Sequence, residues 1–232
     1  MTTAVKWLIV TADDFGISRG VNRGIVEAHR DGILTSTSLL VNRPAAEEAA
    51  ALGRACPSLS VGLHLELDAH DLSGLRSGLE RQLARFVELV GTAPTHLDSH
   101  HDVHRQPRIA PHVRAWARRL GLRVRGDAGV RHLPKFYGQW GGETHLEQIG
   151  VEGLLTLLDT ELEPGVTELT CHPGYVSPEL ASSYTVERET ELRTLCDPRV
   201  RDALVDRGIR VVAFQDLPTV AAALLSVSER AT

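Results

Sequence analysis

Val5-Lys6-Trp7-Leu8-Ile9-Val10, running into Thr11-Ala12-Asp13-Asp14-Phe15-Gly16, is an apolar stretch that ends in two adjacent carboxylates. The apolar part reads as a buried strand. The acids at its end read either as turn and helix-cap residues or as chemistry. Two fixed anions at the mouth of a sheet repel each other, a cost tolerated when a cation sits between them or when one acts as a base. The histidines tip the balance toward chemistry. Thr95-His96-Leu97-Asp98-Ser99-His100-His101-Asp102-Val103-His104 holds four of the eleven, Gly62-Leu63-His64-Leu65-Glu66-Leu67 places one in an alternating strand, and Thr170-Cys171-His172-Pro173-Gly174 places one at a strand end.

Outward from the first strand, apolar runs near 5–11, 33–41, 59–67, 94–99, 121–125, 166–171 and 209–214 alternate with helical patterns near 20–31, 45–53, 72–90, 108–119, 147–160, 188–207 and 216–226. Such βα alternation predicts a parallel sheet covered by helices. Seven strand candidates approach a closed ring, so the expected architecture is α/β: a distorted (β/α) barrel, TIM-barrel-like, forming a single domain over 1–232. The C-terminal ends of barrel strands converge on one mouth, which gathers Asp13, Asp14, His64, His100 and His172 into one cluster whatever their separation in the chain.

Side-chain alternation sharpens this cluster. His96, Asp98 and His100 share one face of their strand, and Gly62, His64 and Glu66 share one face of theirs, so His64 and His100 both point into the barrel. Two inward imidazoles with one carboxylate make a three-ligand set that leaves metal positions open to water and substrate. Asp98 reads as an acid that orients a ligand. His101 and His104, where strand becomes loop, bind substrate or merely meet solvent. Asn42 touches substrate or caps the helix after Pro44. The irregular segments 125–143 and 175–186 follow strands. In the first, Phe136, Tyr137 and Trp140 offer flat surfaces to a sugar ring or pack on the barrel rim.

Composition excludes several classes. A net charge of −5, with arginines interspersed among acids, gives no nucleic-acid surface. Three cysteines outside any CxxC spacing indicate neither a disulfide framework nor a thiolate zinc site, which predicts a cytoplasmic protein. No apolar run approaches the ~20 residues that cross a bilayer, and no leader pattern precedes the first strand, so no membrane partner is expected.

Thr11-Ala-Asp-Asp-Phe-Gly-Ile-Ser18, Gly32-Ile-Leu-Thr-Ser-Thr-Ser-Leu-Leu-Val-Asn42, Gly62-Leu-His64, Thr95-His-Leu-Asp-Ser-His-His101 and Cys171-His-Pro173 together resemble the YdjC-like carbohydrate deacetylases, which include chitooligosaccharide deacetylases. The resemblance implies a distorted (β/α) barrel, metal-dependent removal of N-acetyl groups from a small acetylated sugar or glycosylated metabolite, and a homodimer; for the one divalent metal ion, two histidines with one aspartate suit Zn, with Mg next and Mn, Co and Ni also open. It implies Asp14, His64 and His100 as metal ligands, Asp13 as base and His172 as the acid that protonates the departing amine. Family members often carry a third histidine where this chain has Asp102, and the segment between 67 and 94 has room for one helix only. Two other functions use the same residue types: a metal-dependent phosphoesterase, disfavoured by the lack of a Gly-rich phosphate cradle and of clustered Arg or Lys near the motifs, and a catalytically silent carbohydrate-binding barrel, which needs neither Asp13 nor His172.

Overall fold

A computed structural model describes residues 5–127, 129–180 and 182–217. The chain runs β1 (Lys6–Phe15), α1 (Arg19–Asp31), β2 (Ser36–Leu39), α2 (Ala46–Ala55), β3 (Ser60–Leu65), α3 (Leu75–Val90), β4 (Leu97–Ser99), a 3-10 turn (His100–Arg105) and α4 (Ala110–Arg119). It continues through β5 (Val130–Leu133), the short strands β6 (Gln139–Trp140) and β7 (Glu143–Thr144), α5 (Leu146–Ile149), α6 (Val151–Glu161), β8 (Gly165–Cys171), α7 (Val186–Cys196), α8 (Pro198–Asp206) and β9 (Ile209–Val211). The main sheet is parallel throughout, in the order β4-β3-β2-β1-β8-β5, with β9 beside the first half of β1.

Its two edges are tied together by the chain itself. Val124 bridges to Leu97 on the β4 edge, and the chain then enters β5 on the opposite edge at Val130. A span of roughly six residues reaches at most ~20 Å, so the sheet must curl until its edges face one another. The result is a half-barrel consistent with the distorted (β/α) barrel the sequence predicts. Period-two alternation then sorts the strands. Leu8, Val10, Ala12, Leu39, Leu63, Leu65, Leu97 and Leu169 face the helices in the main core, while Ile9, Val130 and Val166 join Phe214 and Leu217 in a small apolar plug inside the curl. Above that plug the interior turns polar, with Ser38, His96, Asp98 and Glu168 all buried.

Helix α1 starts where Ser18 accepts a hydrogen bond from the Val21 amide at 3.2 Å. It packs main chain against main chain: a Cβ at Gly24 would lie 2.6 Å from the Gly174 Cα. The segment that follows His172 therefore rests directly on the α1 backbone, and only glycine permits that distance.

Several elements differ from expectation. The first strand extends to Phe15 instead of ending before the acids. The strand expected at 121–125 shrinks to one bridge, with the Arg125 amide on the Leu97 carbonyl. The segment 125–143, expected to be irregular, holds β5 and most of a hairpin whose Gly141 and Gly142 take φ of 63° and 81°. The helix expected over 188–207 breaks at Asp197-Pro198, where Asp197 caps α8 through the Arg199 amide, because Pro198 cannot continue the hydrogen-bond ladder of α7. The one expected over 147–160 divides at Gly150, and the last, at 216–226, lies beyond residue 217 and so almost wholly outside the described residues. All three cysteines are free. Among the described residues no helix is long and apolar enough to cross a membrane.

Candidate metal centre and active site

Consecutive strand residues point to opposite faces, so Asp13 and Asp14 should diverge. They do not, because β1 carries a bulge there: Ala12 pairs with Thr37, but the next partner of β2, Leu39, is met by Phe15. Asp14 takes up the extra residue with φ 71°, in the left-handed region. That conformation costs a non-glycine residue ~1–2 kcal/mol, and it returns the second carboxylate to the pocket that Asp13 lines. The rest of the motif holds the bulge. Phe15 is fully buried. Gly16 donates its amide to Asn22 Oδ1 at 2.7 Å, and buried Asn22 donates onward to the Ala45 carbonyl and to Glu48.

Asp14 Oδ1, His64 Nε2 and His100 Nδ1 face one another. The carboxylate oxygen lies 3.7 Å from His64 and 3.1 Å from His100, and the three groups offer ligand atoms all within 4.8 Å of each other. Neither contact is aligned as a hydrogen bond, so this buried anionic oxygen meets the two imidazoles at ion-pair distance without a hydrogen-bond partner among the described residues. That is a costly arrangement for a carboxylate and a natural one for a cation ligand. The far side of the His64 ring is fixed: Nδ1 and Asp98 Oδ1 are 2.7 Å apart, the carboxylate–imidazole pairing that orients metal-binding histidines. Burial alone favours neutral His64, yet the carboxylates of Asp98, Asp13 and Asp14 outweigh it and raise its pKa to about 9. The site thus draws positive charge. The residues present fit a divalent ion, which Asp14, His64 and His100 could hold.

Two arginines that no motif marked complete the electrostatics. Arg125, 1% exposed, donates to both oxygens of Asp13 at 2.6 and 2.8 Å, lies 2.6 Å from Asp98 Oδ2 and donates to Glu168 at 3.0 Å. Burial would raise Asp13, but Arg125 outweighs it and holds the acid below its ordinary range. For Glu168 burial wins, and its pKa rises to about 7. Arg188, on α7, donates to Asp14 Oδ2 at 2.6 Å. Burial would raise Asp14, and His100 and Arg188 together take it well below the usual value. In the sequence these arginines are merely interspersed among acids, with no Arg or Lys cluster near the motifs. The curl of the sheet and the packing of α7 bring them inside, each already engaged by carboxylates.

His172 leaves β8 into the same pocket, with Nδ1 buried and unpartnered among the described residues. Burial lowers it to about 4 despite the nearby Asp13 and Asp14, so the free protein carries it as neutral imidazole at neutral pH. Its backbone amide donates to Glu191, which also accepts from the Tyr184 hydroxyl. Tyr184 stacks on Tyr137 at 4.8 Å between ring centres, and Tyr137 meets the His172 ring edge-on at 5.8 Å. These aromatics, with Ile17 and Pro134, wall a cavity of about 500 Å³ above the acids and histidines.

Of the other residues singled out from sequence, His101 lines this cavity with φ 57°, beside Asp102 at φ 53°. His104 is placed elsewhere: it is buried, with Nδ1 2.8 Å from Ser99 Oγ, because the 3-10 turn folds it back under the strand end. Trp140 sits on the β6–β7 hairpin, outside the cavity lining, stacked on His145 at 3.7 Å. Asn42 lines a separate and larger groove of about 760 Å³, which holds none of the facing ligand atoms, and α2 is preceded by Ala45 without a side-chain cap. Phe136 is fully buried in the core. A signal for the hairpin was available in Gly141-Gly142 between two short polar-aromatic runs. None marked Arg125 or Arg188.

Comparison with known proteins places this geometry in a family. The model of the YdjC-like proteins matches residues 7–77 and 69–206. A chitooligosaccharide deacetylase of Klebsiella pneumoniae is 36% identical, the alignment covering 90% of this chain and 98% of that one. A carbohydrate deacetylase of Geobacillus stearothermophilus is 34% identical, over 91% of this chain and 98% of its own. Among solved structures, a protein of Enterococcus faecalis named for cellobiose-phosphate cleavage superposes with a TM-score of 0.76 at 27% identity, covering 92% of this chain and 99% of that one. The chain belongs to the YdjC-like protein family.

Proposed function

We propose that the protein is a metal-dependent carbohydrate deacetylase that removes an N-acetyl group from a small amino sugar. The observation that carries this is the unpartnered, buried Asp14 Oδ1 facing His64 and His100, beside an aromatic-walled cavity large enough for a sugar ring. The names of relatives similar over nine-tenths of the chain support the substrate class. Two imidazoles with one carboxylate suit zinc, with magnesium the second choice.

Asp14, His64 and His100 would hold the divalent ion, which would supply a lowered pKa for water and polarisation of the acetyl carbonyl. The protein's own residues do the rest. Asp13, kept ionised and fixed by Arg125, accepts a proton from the attacking water. His172 is neutral at rest, and its proton affinity rises as negative charge gathers beside it, so that it takes up a proton from water in the cavity. It then hands that proton to the sugar nitrogen as the carbon–nitrogen bond breaks, and the sugar leaves as an amine with acetate as the other product. Tyr137 and Tyr184 present an apolar wall on which a sugar face rests.

The test combines metal analysis with acetate release from N-acetylated amino sugars. D14A, H64A and H100A should each lose metal and acetate release while keeping the fold. Full metal occupancy in any variant removes that residue from the ligand set. Phosphate release from an aryl phosphate, without acetate release from any sugar, would sink the deacetylase reading.

A further inference from the structure

We propose that Arg188 is a positioning residue that restricts Asp14 to one oxygen toward the bound cation and so keeps a coordination position open for the reaction. The proposal rests on the cation site read above at Asp14, His64 and His100.

The guanidinium of Arg188 is 3% exposed and is held at three points. Its Nη2 donates to Asp14 Oδ2 at 2.6 Å, its Nε to the Tyr184 carbonyl at 3.1 Å and its Nη1 to the His172 carbonyl at 3.4 Å. A planar fork anchored on three segments cannot swing off one acceptor without straining the other two. Asp14 is equally constrained, by the bulge and its left-handed backbone. Its two oxygens therefore have separate assignments: Oδ2 belongs to Arg188, and Oδ1 alone faces the imidazoles. Three protein ligands with one atom each leave positions free for water and substrate, whereas a carboxylate binding through both oxygens occupies one of them. The same guanidinium repels a dication, so its removal strengthens metal binding while closing the site.

R188M, similar in length and uncharged, tests this. Cobalt(II) should bind R188M ~10-fold or more tightly than wild type, with weaker visible absorption per cobalt as the coordination number rises. kcat should fall ~100-fold with KM changed less. R188K restores a cation beside Oδ2 and should return spectrum and affinity toward wild type. A folded R188M with the wild-type spectrum, or with unchanged or weaker affinity, overturns the proposal and leaves the cation site standing. Wild-type protein that takes up no cobalt overturns both. Should R188M not fold, a crystal structure of cobalt-loaded wild type decides: Oδ1 alone on the ion with Oδ2 on Arg188 supports the proposal, and both oxygens on the ion refute it.

Discussion

Replacing Arg125 with methionine should produce one of the largest single losses in this protein. The side chain is 1% exposed and is the common partner of Asp13, Asp98 and Glu168, at 2.6 to 3.0 Å. Removing one partner of a buried ion pair costs about 3–5 kcal/mol. Three acids lose this partner here, but Asp98 keeps His64 and Ser38, and Glu168, whose pKa is already raised to about 7, can shed its charge by taking up a proton. We therefore expect R125M to lose about 4 kcal/mol at pH 8, against a total of ~5–15 kcal/mol for a typical domain. Without Arg125 the folded state binds that proton more tightly still, so the stability of R125M should fall with rising pH more steeply than wild type. E168Q in the R125M background should recover ~1–2 kcal/mol at pH 8 by removing an acid that the folded state must otherwise keep protonated. Urea denaturation of wild type, both single variants and the double variant at pH 6 and 8 completes the cycle. A loss below ~1 kcal/mol at pH 8, or strict additivity of the two substitutions, would refute the view that Arg125 neutralises these acids.

Other outcomes follow from the same geometry. D13N should keep its metal and lose ~100-fold or more in kcat, because an amide cannot accept the water's proton; near-normal turnover with bound metal counts against Asp13 as base. H172A should cost far more on an N-acetylated amino sugar than on an acetylated aryl ester, whose leaving group departs without a proton, and equal losses on both would reassign His172 to positioning. For Glu168 the folded pKa, about 7, exceeds the ordinary 4.5; the stability its proton lends is present below pH 4.5 and is lost as pH rises through 7. E168Q should then gain on wild type by up to about 3 kcal/mol between pH 4.5 and 8.5, read from thermal melts across that range, and a pH-independent difference would contradict the assignment.

The fold, and the gathering of Asp14, His64 and His100 at one place, are legible because they depend on short-range pattern. Short runs such as 5–10 and 166–171 have the length and β-branched content of buried strands, and period-two alternation puts His64 with His100 on inward faces. What escaped the pattern depended on longer-range closure. Arg125 is a charge in a polar turn until the sheet edges meet around it, and Arg188 is one more arginine on a charged helix until α7 settles against Asp14. His104, two residues from pocket-lining Asp102, is lost to the interior because the left-handed pair His101-Asp102 reverses the chain. No composition rule foresees that reversal in non-glycine residues. The bulge at Asp14 belongs to the same class, and there the motif itself, with Gly16 and Ser18 nearby, held part of the signal.

The bare contact between Gly24 of α1 and Gly174 carries the function to a surface that touches no substrate. His172 is pressed from one side by Glu191 and Arg188 of α7, and the segment after it lies on the α1 backbone with no side chain between. A methyl group at position 24 would push that segment toward the cavity, and the imidazole with it. A comprehensive substitution map of this protein should therefore show two islands of intolerance. One surrounds the pocket, and the other is a narrow strip along α1, where variants fold, bind metal and fail to turn over.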